Sequence, residues 1–394
     1  VSNGGRSSSL IFLGTGCSSS VPNARCLIQP TDPPCVVCTQ SLSVPPERNP
    51  NYRCNTSLLI DYCQDDGVHK YILIDVGKTF REQVLRWFVH HKVPQVDSIV
   101  LTHEHADAVL GLDDIRVVQP FSATNDIDPT PVYLSQYAMD SLAIKFPYLM
   151  KKKLKEGEEL RRVSQLDWKI IESDPEKTFM ASGLVFVPLP VIHGEDYVSL
   201  GFLFGKKSRV AYISDVSRFP ASTENVISKS GAGQLDLLIL DTLFKENSHN
   251  VHFCLPQTLD AIKRICPKQA LLIGMTHEFD HYKDNMLLAE WSRRLKIYDH
   301  AEVVLFSCRA TLYMPNLVKT TRRANLSFTV FAVSNPESLA ERSSRGGGSR
   351  GHHHLEPLIP GDEPLEAFSH VGVAPDEVPV VGHPVAPQRR RAIC

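Results

Sequence analysis

The segment Ser98–Ala108 places several metal-binding side chains directly after an apolar run. The run Ile99–Leu101 is short and uninterrupted, which is typical of a buried strand, and the residues after it belong to the loop at the strand's end. His103 and His105 are two positions apart, so on extended backbone they point to the same side and can bind one ion together. Asp107 adds a carboxylate that can act as a further ligand or as a base. The segment therefore predicts a metal site at the end of a buried strand.

Length and charge limit the class of protein. The chain has 394 residues, which is enough for one large domain or two ordinary ones. Its 42 Lys and Arg nearly balance its 44 Asp and Glu, so charge gives no support for nucleic acid or a membrane surface as a partner. No apolar stretch of the sequence reaches the roughly 18 residues of a membrane span. We expect a cytoplasmic protein. Because the chain begins with Val1 and not with Met, a targeting segment upstream is an open alternative.

Hydrophobic patterning divides the chain into three parts. Residues 1–9 are rich in Ser and Gly, and we expect them to be flexible. Residues 10–318 carry apolar strands and helical segments in two blocks, each finishing with helices, which predicts one domain of layered α/β architecture. Residues 319–394 lack any period and are expected to form a disordered tail, in which His352–His354 is interpreted as solvated low-complexity sequence.

Individual elements follow from short apolar runs and from helical periodicity. Strands are predicted at Leu10–Leu13, Ser57–Asp61, Tyr71–Asp75, Ser98–Leu101, Val132–Leu134, Leu184–Leu189, Leu200–Phe204, Val210–Ile213, Leu235–Leu240, Gln269–Ile273 and Glu302–Phe306. Helices are predicted over Thr79–His90, Val109–Val118, Pro256–Ile265 and Lys283–Tyr298. The Cys-, Pro- and Ser-rich residues 17–53 are expected to form a long loop that needs something to order it.

Three other predicted strands also lead into a metal-binding side chain. One apolar run ends in His193, a second ends in Ser214-Asp215, and a third is followed by His277. Residues that are far apart in sequence can converge at one edge of a sheet. The recurrence of this layout indicates one shared site.

The ten cysteines are not spaced like a disulfide framework. Cys35 and Cys38 form a close pair, and Cys26 precedes them. In a large chain with no visible secretory signal, this spacing favours a metal clip over a disulfide. A redox pair is the alternative, but such a pair normally opens a helix after a strand, whereas this one lies among prolines in a predicted loop.

Together these motifs resemble the metallo-β-lactamase superfamily. The resemblance is closer to the branch that contains the bacterial cyclic-phosphate phosphodiesterase of the carbon–phosphorus lyase pathway, and it covers about residues 10–315. The matching segments are Leu13–Gly16 with Val21-Pro22, Cys26 with Cys35–Cys38, Thr102–Asp107, Gly111-Leu112 with Arg116, Pro188–His193, Ser208–Asp215, His252-Phe253 and His277–Asp280. The resemblance implies a four-layer αββα sandwich with metal ions at one edge.

Two ligand sets and two catalytic roles are implied by the resemblance. The catalytic ion, Zn²⁺ or Mn²⁺, would be held by His103, His105, His193 and Asp215. A closed structural zinc site would be formed by Cys26, Cys35, Cys38 and His277. Asp107 would align the attacking water, and His252 would protonate the leaving group.

The chain departs from the family pattern at two positions. The motif normally ends in Asp-His, but here it ends in Asp107-Ala108. In the relative a metal-site histidine stands three residues before the histidine that matches His277, and here that position is Gly274. Both changes remove ligands of the same second ion, so we predict a single catalytic ion.

Three alternatives stay open at this point. A competing alignment makes His277 a ligand of the second catalytic ion and His281 its structural partner. The acidic pair Asp113-Asp114 could replace the lost ligands. Cys17 could substitute for Cys26, because the gap from Cys26 to the Cys-x-x-Cys pair is longer than in the relative.

The resemblance implies a metal-dependent hydrolase. We expect a phosphodiesterase that acts on a small or cyclic phosphate ester through a hydroxide held on the ion. A nuclease, or a thioester or lactone hydrolase, is the alternative on the same fold, because one fold hosts many chemistries. A metal-binding scaffold with little turnover is a further alternative, suggested by the loss of two ligands of the second ion. A small phosphate ester is the expected partner, and a homodimer stays open as the assembly.

Overall fold

The computed structural model describes residues 7–122, 127–150, 163–206, 208–295, 302–305 and 311–314. Within these ranges the strands form two sheets of seven strands each.

The first sheet joins an antiparallel half to a parallel half. Its strands are β1 (Ser8–Gly14), β2 (Ser57–Cys63), β3 (His69–Ile74), β4 (Ser98–Val100), β5 (Thr130–Leu134), β6 (Leu166–Ile170) and β14 (Thr311–Met314). Their order is β14-β1-β2-β3-β4-β5-β6. The pairs from β14 to β3 are antiparallel, and those from β3 to β6 are parallel.

The second sheet is mixed in the same way. Its strands are β7 (Phe179–Ala181), β8 (Leu184–Ile192), β9 (Val198–Phe204), β10 (Val210–Ile213), β11 (Leu237–Asp241), β12 (Gln269–Ile273) and β13 (Glu302–Leu305). Their order is β13-β12-β11-β10-β9-β8-β7. The pairs from β7 to β10 are antiparallel, and those from β10 to β13 are parallel.

Helices connect the strands. They are α1 (Ala24–Ile28), α2 (Val36–Gln40), α3 (Phe80–Gln83), α4 (Val89–His91), α5 (Ala106–Val109), α6 (Gln136–Lys145), α7 (Ala221–Ile227), α8 (Leu255–Ile265) and α9 (His281–Leu295). A π-helical turn, Val84–Phe88, joins α3 to α4. Short 3-10 helices cover Pro46–Arg48, Leu112–Val118 and Pro147–Met150.

The alternation of side chains along each strand builds three apolar layers. On β2, Leu58 and Ile60 belong to the cluster between the two sheets, whereas Leu59 belongs to the cluster beneath the helices of the first sheet. On β11, Ile239 belongs to the inner cluster and Leu240 to the one beneath the helices of the second sheet. Truncating a buried leucine of this kind to Ala costs about 2–5 kcal/mol. Two sheets with helices on both outer faces confirm the predicted α/β sandwich.

The structure differs from the predicted elements where local signals are weak. Residues 17–53 are not a plain loop, because α1 and α2 lie within them. The patterning also missed α6, α7, β6, β7 and β14. Helix α6 buries only Ala138 and Leu142, so its apolar face is too narrow to give a clear helical period.

Several expectations fall on residues outside the described ranges. They are the ends of the last predicted helix and strand, at 296–298 and 306, and the tail from residue 319, including His352–His354. The division into residues 1–9, 10–318 and 319–394 stays a prediction, although β1 begins at Ser8.

Candidate functional site

A buried relay at the ends of β3 and β4 orients His103. Asp75 follows β3, and its carboxylate accepts hydrogen bonds from the backbone N–H of Thr102 at 2.9 Å and from Thr102 Oγ1 at 2.8 Å. Thr102 Oγ1 lies 2.8 Å from His103 Nδ1. Because the single hydroxyl proton is donated to Asp75, Oγ1 accepts the Nδ1–H of His103. The other ring nitrogen, Nε2, is then left with a free lone pair, which is the form that binds a metal.

The lone pair on His103 Nε2 is buried, and no other described residue donates a hydrogen bond to it. Burial lowers the pKa of His103 to about 4, so its imidazole is neutral near pH 7. The nearest carboxylate oxygen is Asp215 Oδ1, at 3.9 Å. An unpartnered lone pair that faces a carboxylate is an arrangement that a cation completes.

His193 and His105 supply the neighbouring ring nitrogens. His193 Nδ1 donates to the carbonyl oxygen of Val251 at 2.6 Å, so its Nε2 carries the lone pair. That Nε2 lies 3.3 Å from His105 Nδ1. One nitrogen from each of His103, His105 and His193 lies within 4.8 Å of the others. Three imidazoles therefore converge here, and imidazole nitrogens are common ligands of a divalent cation.

Asp215 provides the oxygen donor of this group. It follows β10 and forms a second cluster with His193 and His252, whose ligand atoms also lie within 4.8 Å of one another. Burial alone would raise the pKa of Asp215, but His103, His193 and His252 hold it below its usual value. The structure thus brings together His103, His105, His193 and Asp215, and this donor set fits a divalent ion. Their assignment as ligands and the identity of the ion stay predictions.

His252 lies beside this group and is held by a buried carboxylate. Its Nδ1 is 2.7 Å from Asp241 Oδ2 and 4.0 Å from Asp215 Oδ1. Burial alone would lower the pKa of His252, but Asp241 raises it to about 9. Burial raises the pKa of Asp241 to about 6. Between these values the pair is an imidazolium and a carboxylate, and His252 carries a proton that it can donate.

The backbone next to His252 is fixed by Phe253. This side chain is buried, its N–H donates to Val216 O at 2.6 Å, and its carbonyl accepts from Leu243 at 2.8 Å. Helix α8 starts two residues later, after the Cys254 cap. His252 is therefore held by the strand ends on either side of it, and not by a free loop.

Asp107 lies near these groups, because its carboxylate acts to raise the pKa of His103, His105 and His252, but it is not one of the clustered ligands. It lies in the first turn of α5, is half-buried, and belongs to none of the metal-type clusters that the described residues form. The acidic pair Asp113-Asp114 is also absent from those clusters. Asp113 instead pairs with Arg116 at 3.3 Å.

The two positions that depart from the family carry no ligand atom on their side chains, and Gly274 also lacks room for one. Ala108 is buried, and its carbonyl accepts the N–H of Val76 at 2.7 Å. Gly274 has a φ of +78°, and a Cβ added there would lie 2.5 Å from Asp241 Oδ1. A histidine at 274 would therefore displace the carboxylate that pairs with His252. This geometry supports a single catalytic ion.

The cysteines form a separate cluster on the N-terminal segment. One ligand atom from each of Cys26, Cys35, Cys38 and His277 lies within 4.8 Å of the others. His277 Nδ1 is 3.5 Å from Cys26 Sγ and 3.3 Å from Cys35 Sγ. Burial, together with the neighbouring thiols, raises the pKa of Cys38 to about 12, a value that a bound cation would lower. Three thiols and one imidazole fit a closed tetrahedral zinc site.

The two alternative ligands, His281 and Cys17, both lie outside the cysteine cluster. His281 is not part of this cluster, and its backbone N–H donates to Asn51 Oδ1 at 2.7 Å. Cys17 contacts Ser19 Oγ at 3.2 Å and is not part of the cluster. The expectation that the Cys35–Cys38 pair lies in a loop is wrong for Cys38, which lies in α2, whereas Cys35 precedes this helix as its N-cap residue. That helix does not follow a strand, so it lacks the setting of a redox pair.

Arg53 ties the cysteine segment to the second sheet. Its side chain is fully buried and donates to the carbonyl oxygens of Thr276 at 3.3 Å and Phe279 at 2.9 Å. These carbonyls flank His277. The cluster and the end of β12 are therefore held by one buried guanidinium.

Sequence reasoning missed several residues of the site. Asp75 and Asp241 each end an apolar strand, which is the same signal that singled out Asp215, but they were not assigned a role. Tyr197 also was missed. Its ring stacks on His105 at a centroid distance of 5.1 Å, and its hydroxyl donates to the carboxylate of Glu104. A turn between two strands gives no signal for such a contact.

Comparison with known proteins agrees with this fold and site. The family model for the Beta-lactamase superfamily domain matches residues 70–275. The chain belongs to the metallo-β-lactamase superfamily, a fold that implies binding of a divalent metal, and the predicted resemblance is confirmed.

The branch is indicated by a solved structure of a new diphosphatase from the PhnP family. It is 26% identical, with a TM-score of 0.59 over 78% of this chain and 97% of that one. Zinc-bound PqqB from Methylobacterium extorquens shares the fold at 14% identity, with a TM-score of 0.54 over 77% of this chain and 99% of that one.

A curated relative extends beyond the matched region. It is an octanoyltransferase from Porphyromonas gingivalis (strain ATCC BAA-308 / W83), 28% identical over 276 residues, which are 70% of this chain and 47% of that protein. The chain thus spans about half the length of this relative. In the described part of the chain, the helices are too short or too polar to cross a membrane.

Proposed function

We propose that the protein is a metal-dependent phosphodiesterase that cleaves small phosphate esters. The observation that carries the proposal is the unpartnered Nε2 of His103, which faces Asp215 and two further imidazoles, with the His252–Asp241 pair beside them. The similarity to a diphosphatase of the PhnP family supports a phosphate ester as the substrate. The nearly balanced charge supports a small ester over a polynucleotide.

The catalytic ion, Zn²⁺ or Mn²⁺, would be held by His103, His105, His193 and Asp215. When bound, such an ion lowers the pKa of water and polarises a phosphoryl oxygen. His252 is protonated near pH 7 because Asp241 raises its pKa to about 9, so it donates a proton to the departing oxygen. Asp107 is proposed as the carboxylate that orients the attacking water.

The thiolate cluster would hold a structural Zn²⁺. Its role is to order the Cys- and Pro-rich segment and to join it to the end of β12, and this contributes folding free energy directly. The cysteines of the described chain are all free thiols, which supports a reducing compartment such as the cytoplasm. A homodimer is retained as the proposed assembly.

The test is turnover of bis(p-nitrophenyl) phosphate by protein loaded with zinc or manganese. His103→Ala and His193→Ala are expected to reduce kcat by at least about a thousandfold, because each removes a ligand of the ion. His90→Ala is the matched control, since this exposed histidine lies on α4, away from the cluster. Absence of turnover with any divalent ion would favour a metal-binding scaffold instead.

A thioester hydrolase is the second candidate. It is favoured by one observation, the similarity to an octanoyltransferase. Assay of octanoyl-coenzyme A beside bis(p-nitrophenyl) phosphate separates the two. Preferential, His103-dependent cleavage of the thioester would replace the phosphodiesterase proposal.

A further inference from the structure

The wall of the site next to His105 carries two tyrosines that the proposed chemistry does not use. Tyr197 stacks on the His105 ring at 5.1 Å with an interplanar angle of 14°. Tyr137 meets Tyr197 edge-on, with ring centroids 5.7 Å apart and an angle of 77°. Tyr137 is 64% exposed. A continuous row of rings therefore runs from a proposed metal ligand to the protein surface.

Tyr197 is rigidly held in this row. Its hydroxyl donates to the buried carboxylate of Glu104, and its carbonyl accepts the N–H of His193 at 2.9 Å. Both partners adjoin or belong to the proposed ligand set. The ring of Tyr197 is thus fixed in place before any ligand arrives, and a preorganised surface loses little entropy on binding.

Helix α6 is anchored to the domain, and this fixes the backbone position of Tyr137. Ser135 caps the helix by accepting the N–H of Ala138 at 3.2 Å, and Ala138 and Leu142 anchor it in the apolar cluster. Two turns after Tyr137, Lys145 Nζ donates to the carbonyl of Glu104 at 2.6 Å. The helix therefore lies along the loop of His103 and His105, and it adds a positive charge to the wall that carries the exposed ring.

We propose that Tyr137 and Tyr197, here called the ring platform, bind a planar ring of the substrate, so that the preferred esters are those of nucleosides. The inference rests on the proposed function and deepens it. An aromatic ring stacks on every nucleobase because each has a π-face. Lys145, two turns further along the helix that carries Tyr137, adds a positive charge on the same side of the site. Tyr137 is largely exposed and adds little to the core, so its ring is accessible to a ligand at the site.

The experiment measures binding of two product-like probes to the metal-loaded protein by calorimetry. Adenosine 5′-monophosphate and ribose 5-phosphate share the sugar and the phosphate, and they differ only in the base. We expect the adenosine compound to bind about 5- to 150-fold more tightly, which is the range for stacking one base. Tyr137→Ala should bring the ratio close to one, whereas Tyr137→Phe should retain it.

Ile144→Ala is the matched control, because Ile144 is 82% exposed on the same helix and is not part of the ring platform. It should leave the ratio unchanged. Three results would overturn the proposal that the ring platform binds the base. They are equal binding of the two probes by the unsubstituted protein, no binding of the adenosine compound at millimolar concentration, and an affinity ratio that is unchanged in Tyr137→Ala. Continued turnover of bis(p-nitrophenyl) phosphate in those cases would leave the phosphodiesterase itself intact.

Discussion

His252 Nδ1 lies 2.7 Å from Oδ2 of Asp241, a carboxylate that is completely buried. The same carboxylate accepts the N–H of Val216 at 3.2 Å, so its position is fixed by the strand ends around it. Asp241 also fills the space in front of Gly274, the position at which the sequence resemblance predicts that a metal ligand is lost. One buried acid therefore holds the proposed proton donor and leaves no room for a ligand at position 274.

The first prediction concerns Asp241→Asn. The amide keeps the shape of the side chain but removes the negative charge that raises the pKa of His252 to about 9. A proton donor must be protonated to act, so activity should persist up to about this pH in the unsubstituted protein and fall above it. In Asp241→Asn we expect the alkaline limb of the kcat profile to move to lower pH. An unchanged limb would show that His252 is not the donor.

The second prediction compares two glycines with left-handed backbone. Gly274→Ala adds a Cβ 2.5 Å from Asp241 Oδ1 at a φ of +78°, whereas Gly67→Ala adds one in open space at a φ of +87°. Both should lose about 1 kcal/mol of unfolding free energy from backbone strain. Only Gly274→Ala should also reduce kcat, because it pushes Asp241 away from His252. Urea unfolding and turnover measure the two effects, and equal kcat values for both variants would contradict the steric argument.

The sequence predicted the proposed ligands but not the groups that orient them. His103, His193 and Asp215 were found because an apolar run marks each strand that precedes them, and strands of both sheets, β4 in the first and β8 and β10 in the second, bring their ends to a common edge. Tyr197 was missed because its contact with His105 joins two loops, and no local pattern encodes a contact across loops. The same limit applies to α6, which depends on tertiary packing more than on its own periodicity.

The third prediction concerns metal content. If the group of His103, His105, His193 and Asp215 binds one ion and the cysteine cluster binds another, elemental analysis should give two metal equivalents per chain. His103→Ala should remove one and leave the other, and Cys35→Ser should do the reverse, because the two clusters share no residue. A third equivalent in the unsubstituted protein would contradict the single catalytic ion inferred from Ala108 and Gly274.

Cys35→Ser should also lower stability, since binding of a structural zinc is coupled to folding. Melting should shift downward by several degrees relative to Cys63→Ser, whose thiol lies on β2 and outside the cluster. An equal shift in the two variants would count against a structural ion.

The last prediction concerns stability at low pH. Burial, helped by the nearby cation of Arg53, lowers the pKa of His281 to about 4, from 6.5 for a solvated histidine. Between these values the unfolded chain binds a proton that the folded chain does not. The free energy of unfolding therefore falls as the pH drops from 6.5 towards 4, by an amount on the order of 2 kcal/mol from this group.

His281→Gln removes the titrating group and should flatten this part of the pH dependence. Urea unfolding at several pH values measures the difference between the two proteins, and it is the difference that isolates His281 from the other titrating groups. His90→Ala again serves as a control, since it removes an exposed imidazole from another part of the chain. Parallel curves for His281→Gln and the unsubstituted protein would mean that His281 is solvated in the folded state, and that its burial beside Arg53 does not hold in solution.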